Sequence, residues 1–191
     1  MQFKQSSNYQ SQTDETLMVA VHYGDNKAFN ELYQRYKNRL LYYFYRMLGN
    51  SQEKAQDFLQ EIFLKVIEKP ELFDPKRKFS TWIFSIAHNM CKNEYRRLKV
   101  REIVSRDENI DFHSEESDDL KEEQKLLTDL IFKEIDLLEE TEKTAFLLRY
   151  REGFALKEIS TILDLPEGTI KSKLFYTRKK LLAKFQVSSN I

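Results

Sequence analysis

The residues of this chain that could do chemistry are suited to recognition rather than bond breaking. His22, His88 and His113 are scattered, none pairs with Cys91 at metal-ligand spacing, and no glycine-rich phosphate loop is present. The expectation is a protein without catalytic residues, metal or cofactor, and not an enzyme. Three other groupings stand out: carboxylates around a lone leucine, an amide within a row of cations, and hydroxyls and rings among lysines. Each is a means of holding a macromolecule.

The first grouping lies in the run from Gln56 to Val66. At helical spacing Ala55, Phe58, Leu59, Ile62, Val66 and Ile67 share one apolar stripe that faces a core. Asp57, Gln60, Glu61 and Glu68 fall on the opposite face, with Leu64 among them. A lone exposed leucine is common and needs no function. An apolar anchor ringed by charges also suits a docking face, where the charges fix register. The pattern alone leaves both readings open.

In the second grouping, Trp82, Ser85, Asn89, Lys92, Asn93 and Arg96 share a face distinct from the inner stripe of Ile83, Ile86, Ala87 and Met90. Cations alone would bind phosphate, but an amide between them can donate to and accept from a base edge. Trp82 borders the inner stripe, so it either packs in the core or closes the N-terminal end of this polar strip. The third grouping follows a short apolar-faced helix over 155–163 and a turn through Asp164, Leu165, Pro166 and Glu167. Pro166 is expected in the first turn of a second helix reaching Lys184, which turns Ile170, Leu174, Thr177 and Leu181 inward. Its other side presents Thr169, Lys171, Ser172, Lys173, Phe175, Tyr176, Arg178 and Lys179. Short helix, tight turn and basic second helix is the geometry that enters a DNA major groove.

The elements that position these groups are helices. Hydrophobic residues make up 41% of the 191, and only four Gly and three Pro are present, too few for a turn-rich β fold. Long segments carry a 3.6-residue period, so the class is all-α. A zero net charge argues against nucleic-acid binding until its distribution is read. Eight basic residues face one acid between Lys76 and Arg101, nine acids face one base between Asp107 and Glu123, and six basic residues face no acid between Gly168 and Lys184. Two basic blocks around an acidic one suggest two nucleic-acid-facing surfaces on a solvated tether.

The reading along the chain is a disordered N-terminus over 1–13, a helical domain over 14–99, a flexible acidic linker over 100–123 and a second helical domain over 124–186. Asp25 and Ser51 are expected N-caps, and Gly49 ends the helix between them. Ser80, bracketed by Phe79 and Phe84 at staple spacing, is expected to cap a helix reaching Lys99. One cysteine fits a reducing compartment, and no apolar run approaches membrane-spanning length, so a cytoplasmic protein without membrane insertion is expected.

Together these motifs resemble the extracytoplasmic-function class of sigma-70 family sigma factors over roughly 14–99 and 124–185. The Asp57-to-Val66 run is similar to the part of region two that grips the beta-prime clamp, which implies core-polymerase-binding roles for Asp57, Gln60, Glu61, Phe63 and Leu64. Phe79-Ser80-Thr81-Trp82-Ile83-Phe84-Ser85-Ile86-Ala87-His88-Asn89 resembles the segment that opens and reads the promoter −10 element, with Arg96 and Arg97 at its basic end. Leu147-Leu148-Arg149-Tyr150, Gly153, Glu158-Ile159 and Glu167 to Ser172 resemble region four, which reads the −35 element. Asp164 stands where the family has a turn glycine, and Phe175 and Tyr176 replace more typical polar or basic residues. The resemblance implies two small helical domains, a region-2-like bundle and a region-4-like helix-turn-helix. It also implies transcription initiation with core RNA polymerase (beta-prime clamp and beta flap), promoter DNA and an anti-sigma factor as partners. The alternative is a helix-turn-helix regulator that is not a sigma subunit.

Overall fold

The computed structural model describes residues 9–104 and 131–188, with side chains over 9–100 and 131–184. Among the described residues every regular element is helical. The expected acidic linker lies largely outside them.

Helix α1 spans Asp14–His22, α2 Asn26–Met47, α3 Gln52–Glu68 and α4 Phe79–Val104. In α2, Ala28, Leu32, Tyr36, Leu40, Tyr43, Phe44 and Met47 recur every three or four residues and are buried, and α1, α3 and α4 all pack against that helix. Asp25 caps α2 by accepting from the Lys27 and Ala28 amides at 2.9 and 3.1 Å, and Ser51 caps α3 through the Lys54 amide. Gly49 follows α2 at φ +72°, the left-handed geometry a helix C-terminus favours. These three punctuation marks agree with the sequence.

Several expectations need correction. Ser80 does not cap α4: the helix begins at Phe79, whose amide donates to the Glu15 carboxylate at 3.0 Å, so a side chain from α1 does the capping. The same helix continues past the expected end at Lys99 to Val104. Residues 9–13, placed in the disordered lead-in, carry a 3₁₀ turn over Tyr9–Ser11. They are fixed by Arg35, which donates to the Tyr9, Gln10 and Gln12 carbonyls while pairing with Asp14 and Glu31. Ile67, placed in the inner stripe, is 50% exposed while its neighbour Val66 is fully buried, because each residue turns the helix by about 100° and carries Ile67 off the inward face.

The second domain begins with a helical stretch over 131–136, followed by α5 over Glu140–Phe146. A π-helical turn over Leu147–Arg151 continues α5 and closes when the Glu152 amide reaches back to the Leu147 carbonyl at 3.1 Å. Helix α6 spans Leu156–Leu163 and α7 Glu167–Ser188. Between them Asp164 takes φ +53°. It thus accepts the left-handed conformation where glycine would be unstrained. Pro166 precedes α7 rather than lying in its first turn, and its carbonyl accepts from the Thr169 and Ile170 amides.

The sequence suggests two bodies on a tether, but the described domains are packed together. Helix α6 lies along α4, and α5 reaches α2. Phe84 and Phe154 meet edge to face at 5.2 Å, Arg39 pairs with Glu152 at 2.7 Å, and Lys78 pairs with Glu158 at 2.7 Å.

Candidate nucleic-acid interface

On α3 the outward residues are Asp57, Gln60, Glu61 and Glu68, all exposed. Leu64 stands among them at 54% exposure, and Glu61 is held by Lys65 one turn on at 2.6 Å. Phe63, included in this group by resemblance, points the other way. It is 4% exposed and meets Phe29 and Tyr33 edge to face at 6.0 and 4.8 Å, so it shapes the helix that carries the face rather than forming part of it.

On α4 the expected polar strip divides. Asn89, Asn93, Arg96 and Arg97 are exposed, whereas Trp82, Ser85 and Lys92 are half-buried. Ser85 donates to the Thr81 carbonyl at 2.8 Å, and Arg97 pairs with Glu94 at 2.7 Å. Trp82 is half-buried and packs against Phe73 and Phe79 at 5.3 and 5.7 Å, which fixes its ring against the core. Of the two readings of Trp82, packing against the core is the one these contacts bear out. A free exposed amide near exposed cations can hydrogen-bond a base while phosphates are held alongside.

A second buried face of α4 was not visible in the sequence. Phe84 and Cys91 are fully buried, His88 is 5% exposed and Glu94 is 7% exposed. Burial, helped by nearby Lys92, lowers the His88 pKa to about 4, and burial pushes the Cys91 thiol well above its usual range. His88 is thus a neutral core imidazole, and Cys91 an unreactive thiol.

In the second domain, α7 buries Ile170, Leu174, Thr177 and Leu181, as its periodicity predicts. Lys171, Ser172, Phe175, Tyr176, Arg178 and Lys179 are exposed, and Thr169 and Lys173 are half-buried at the edge. Phe175 and Tyr176 are 62% and 64% exposed and meet each other edge to face at 5.4 Å, forming an apolar platform among the cations. Ser172 donates to the Gly168 carbonyl at 2.8 Å, which leaves its oxygen lone pairs outward. Lys180, exposed one turn after Tyr176, extends the basic face, and its i+4 spacing is the signal that could have included it. Helix α6 is held by Glu158, whose carboxylate accepts from the Ala155 amide at 2.8 Å and from Lys78 across the domain boundary. Partial burial raises the Glu158 pKa, but these two bonds outweigh it and the carboxyl titrates below its ordinary range.

A helical bundle bearing a polar and basic helix, joined to a helix-turn-helix with a basic second helix, defines a two-domain nucleic-acid-binding protein. The comparisons make the class specific: the model for sigma-70 region 2 matches residues 32–101, and that for sigma-70 region 4 matches residues 129–181. The ECF RNA polymerase sigma-E factor of Haemophilus influenzae is 36% identical over 183 residues, covering 91% of this chain and 96% of that protein. The ECF RNA polymerase sigma factor SigW of Bacillus subtilis is 33% identical over 167 residues, covering 83% and 89%. The chain belongs to the extracytoplasmic-function branch of the sigma-70 family of RNA polymerase sigma factors.

Two solved structures share the fold at low identity. CnrH, in complex with the cytosolic domain of CnrY, aligns with a TM-score of 0.68 over 91% of this chain and 97% of that one at 20% identity. The sigma factor RpoE of Bartonella quintana, in complex with the anti-sigma factor NepR, gives 0.69 over 84% and 98% at 21% identity.

Proposed function

We propose that this sigma factor docks on core RNA polymerase through the outward face of α3, captures the −10 element with α4 and reads the −35 element with α7. The observation that carries this reading is Leu64. A leucine 54% exposed and ringed by Asp57, Gln60 and Glu61 supports a docking face for a partner protein, and it lies in a different domain from the helix-turn-helix. A regulator that bound only DNA would have no use for this second kind of surface. Phe63 supports it from beneath by locking α3 onto α2.

The −10 step is assigned to Asn89 with Lys92, Asn93, Arg96 and Arg97. Unstacking a base costs a few kcal/mol, and a preformed polar surface beside the fixed ring of Trp82 offsets part of that cost. The −35 step is assigned to Lys171, Lys173, Arg178 and Lys179 on phosphates and to Thr169, Ser172, Phe175 and Tyr176 on base edges and thymine methyls. The protein acts as a specificity subunit rather than an enzyme and works in the cytoplasm, where transcription takes place. Among the described residues no helix is long and apolar enough to cross a membrane. An anti-sigma factor is the expected regulator, by analogy with the complexes of the relatives.

The docking assignment is tested by titrating core polymerase against the parent and a Leu64→Ala, Glu61→Ala variant. Loss of a central anchor costs on the order of 2 kcal/mol. Affinity should fall accordingly while the thermal melt stays unchanged. Equal affinity removes α3 as the docking face.

A further inference from the structure

Helix α7 turns by about 100° per residue, which sorts its outward side chains into a centre and two flanks. Ile170, Leu174, Thr177 and Leu181 point inward. Opposite them lie Ser172, Phe175 and Tyr176, with Lys179 one turn beyond the first ring. Lys171 and Arg178 flank this centre on one side, and Lys173 and Lys180 on the other. A helix seated in a major groove has a phosphate strand along each flank and base edges beneath its centre. The flanking cations of α7 therefore stand where phosphates run, and what meets the bases ahead of Lys179 is one hydroxyl and two rings.

The chemistry of those three groups is narrow. Phe175 and Tyr176 expose most of their rings and meet edge to face at 5.4 Å. An apolar pair kept in the open among cations contributes nothing to the core, and the apolar group that a major groove offers it is the thymine C5 methyl. Ser172 spends its hydroxyl proton on the Gly168 carbonyl at 2.8 Å, so its oxygen is left to accept. The donors that base edges present in the major groove are the adenine N6 and cytosine N4 amines. Guanine is read best by an arginine fork on N7 and O6, and the centre of α7 carries no arginine.

We propose that the −35 element is read by methyl and amine rather than through guanine: the Phe175–Tyr176 pair holds thymine C5 methyls, and the Ser172 oxygen accepts from the exocyclic amine of an adenine or cytosine nearby. This deepens the assignment of α7 to the −35 element and rests on it. Ser172 precedes the two rings by three and four residues, one helical turn of about 5.4 Å, so at about 3.4 Å per base pair the amine and the methyls lie one to two pairs apart. An A·T pair carries both signals, the amine on one strand and the methyl on the other, so the preferred tract is rich in A·T pairs.

The test uses holoenzyme assembled from core polymerase and the full chain, with a pool of duplexes randomised over one turn of DNA. Bound duplexes are amplified and sequenced, in one arm with dTTP and in the other with dUTP, which removes the C5 methyl and keeps every hydrogen-bonding group. The parent should enrich thymine at one or two positions of the first pool, with adenine or cytosine one to two pairs away. In the second pool enrichment at those positions should fall about fourfold for each methyl lost, the scale of one buried carbon, while the amine position keeps its strength. Phe175→Ala with Tyr176→Ala should give the uracil result from both pools, and Ser172→Ala should lose the amine position alone. All three side chains are exposed, so the core is untouched, and the parent's comparison of the two pools needs no variant.

Thymine and uracil enriched equally by the parent overturn the methyl readout, as does a double-alanine variant that still tells them apart; both results leave α7 as the reading helix. Guanine enriched at the amine position overturns the role of Ser172. No enriched tract in either pool, or a tract bound undiminished by a Lys171→Ala, Arg178→Ala variant, removes α7 as the −35 helix and the proposal with it.

Discussion

Asn89 differs from its neighbours on α4 in that it can donate and accept at once, and its side chain is exposed beside Asn93, Arg96 and Arg97. Asn89→Ala is expected to cost about 1–3 kcal/mol of discrimination at one −10 position. Polymerase docking through α3 should be unaffected. Open-complex formation on a panel of single-base −10 variants measures this, and a parent-like preference at every position would make Asn89 a plain surface residue. His88, one residue earlier, is the opposite case, a neutral imidazole in the core. Its pKa is lowered from 6.5 to about 4 by burial and Lys92. Between those values the unfolded chain holds more protons, so stability is complete above pH 6.5 and is lost as pH falls towards 4. The loss by pH 4.5 should be about 2–3 kcal/mol. Urea melts at pH 7 and 4.5 should show this slope in the parent and a shallower one in His88→Gln; equal slopes would mean that His88 titrates normally.

At the scale of elements, α7 should behave as a phosphate-binding helix with a reading edge. Lys171→Ala and Arg178→Ala are each expected to lower the log–log salt slope of duplex binding by about one unit. Unchanged slopes would move the −35 surface elsewhere. Both α7 faces were legible because burial of Ile170, Leu174, Thr177 and Leu181 follows the period of the helix itself. The apolar stripe of α3 was legible for the same reason, except at Ile67, which the helix turns off the inward face. What the sequence concealed came from distant residues. Ser80 has the local signature of a cap, but the Glu15 carboxylate of α1 takes that role. Phe63 fits a family docking position, yet Phe29 and Tyr33 enclose it. Phe84, His88 and Cys91 are buried on a side of α4 whose partners are distant in sequence, with Phe84 meeting both Tyr43 of α2 and Phe154 of the second domain. Lys99 continues the three- and four-residue spacing of Lys92 and Arg96, and Glu140 of the second domain lies in the field of all three.

For the whole molecule, the central claim is that two DNA-reading helices and one polymerase-docking face belong to one initiation factor. Charge segregation along a neutral chain indicated two basic surfaces but not their relation, because interdomain packing depends on pairs such as Arg39–Glu152 and Lys78–Glu158 that are far apart in sequence. The family and the fold are established by the matches over both domains, while the division of labour among α3, α4 and α7 is a matter of side chains. The most direct measurement is run-off transcription by purified core polymerase with and without the full chain, on promoters altered separately in the −10 and −35 tracts. The account predicts that transcripts depend on the added chain and fall when either tract is changed. It also predicts that Asn89→Ala alters only the −10 preference and that Ser172 or Phe175 substitutions alter only the −35 preference. Chain-dependent transcription that ignores both tracts, or α4 and α7 variants that shift the same tract, would contradict it.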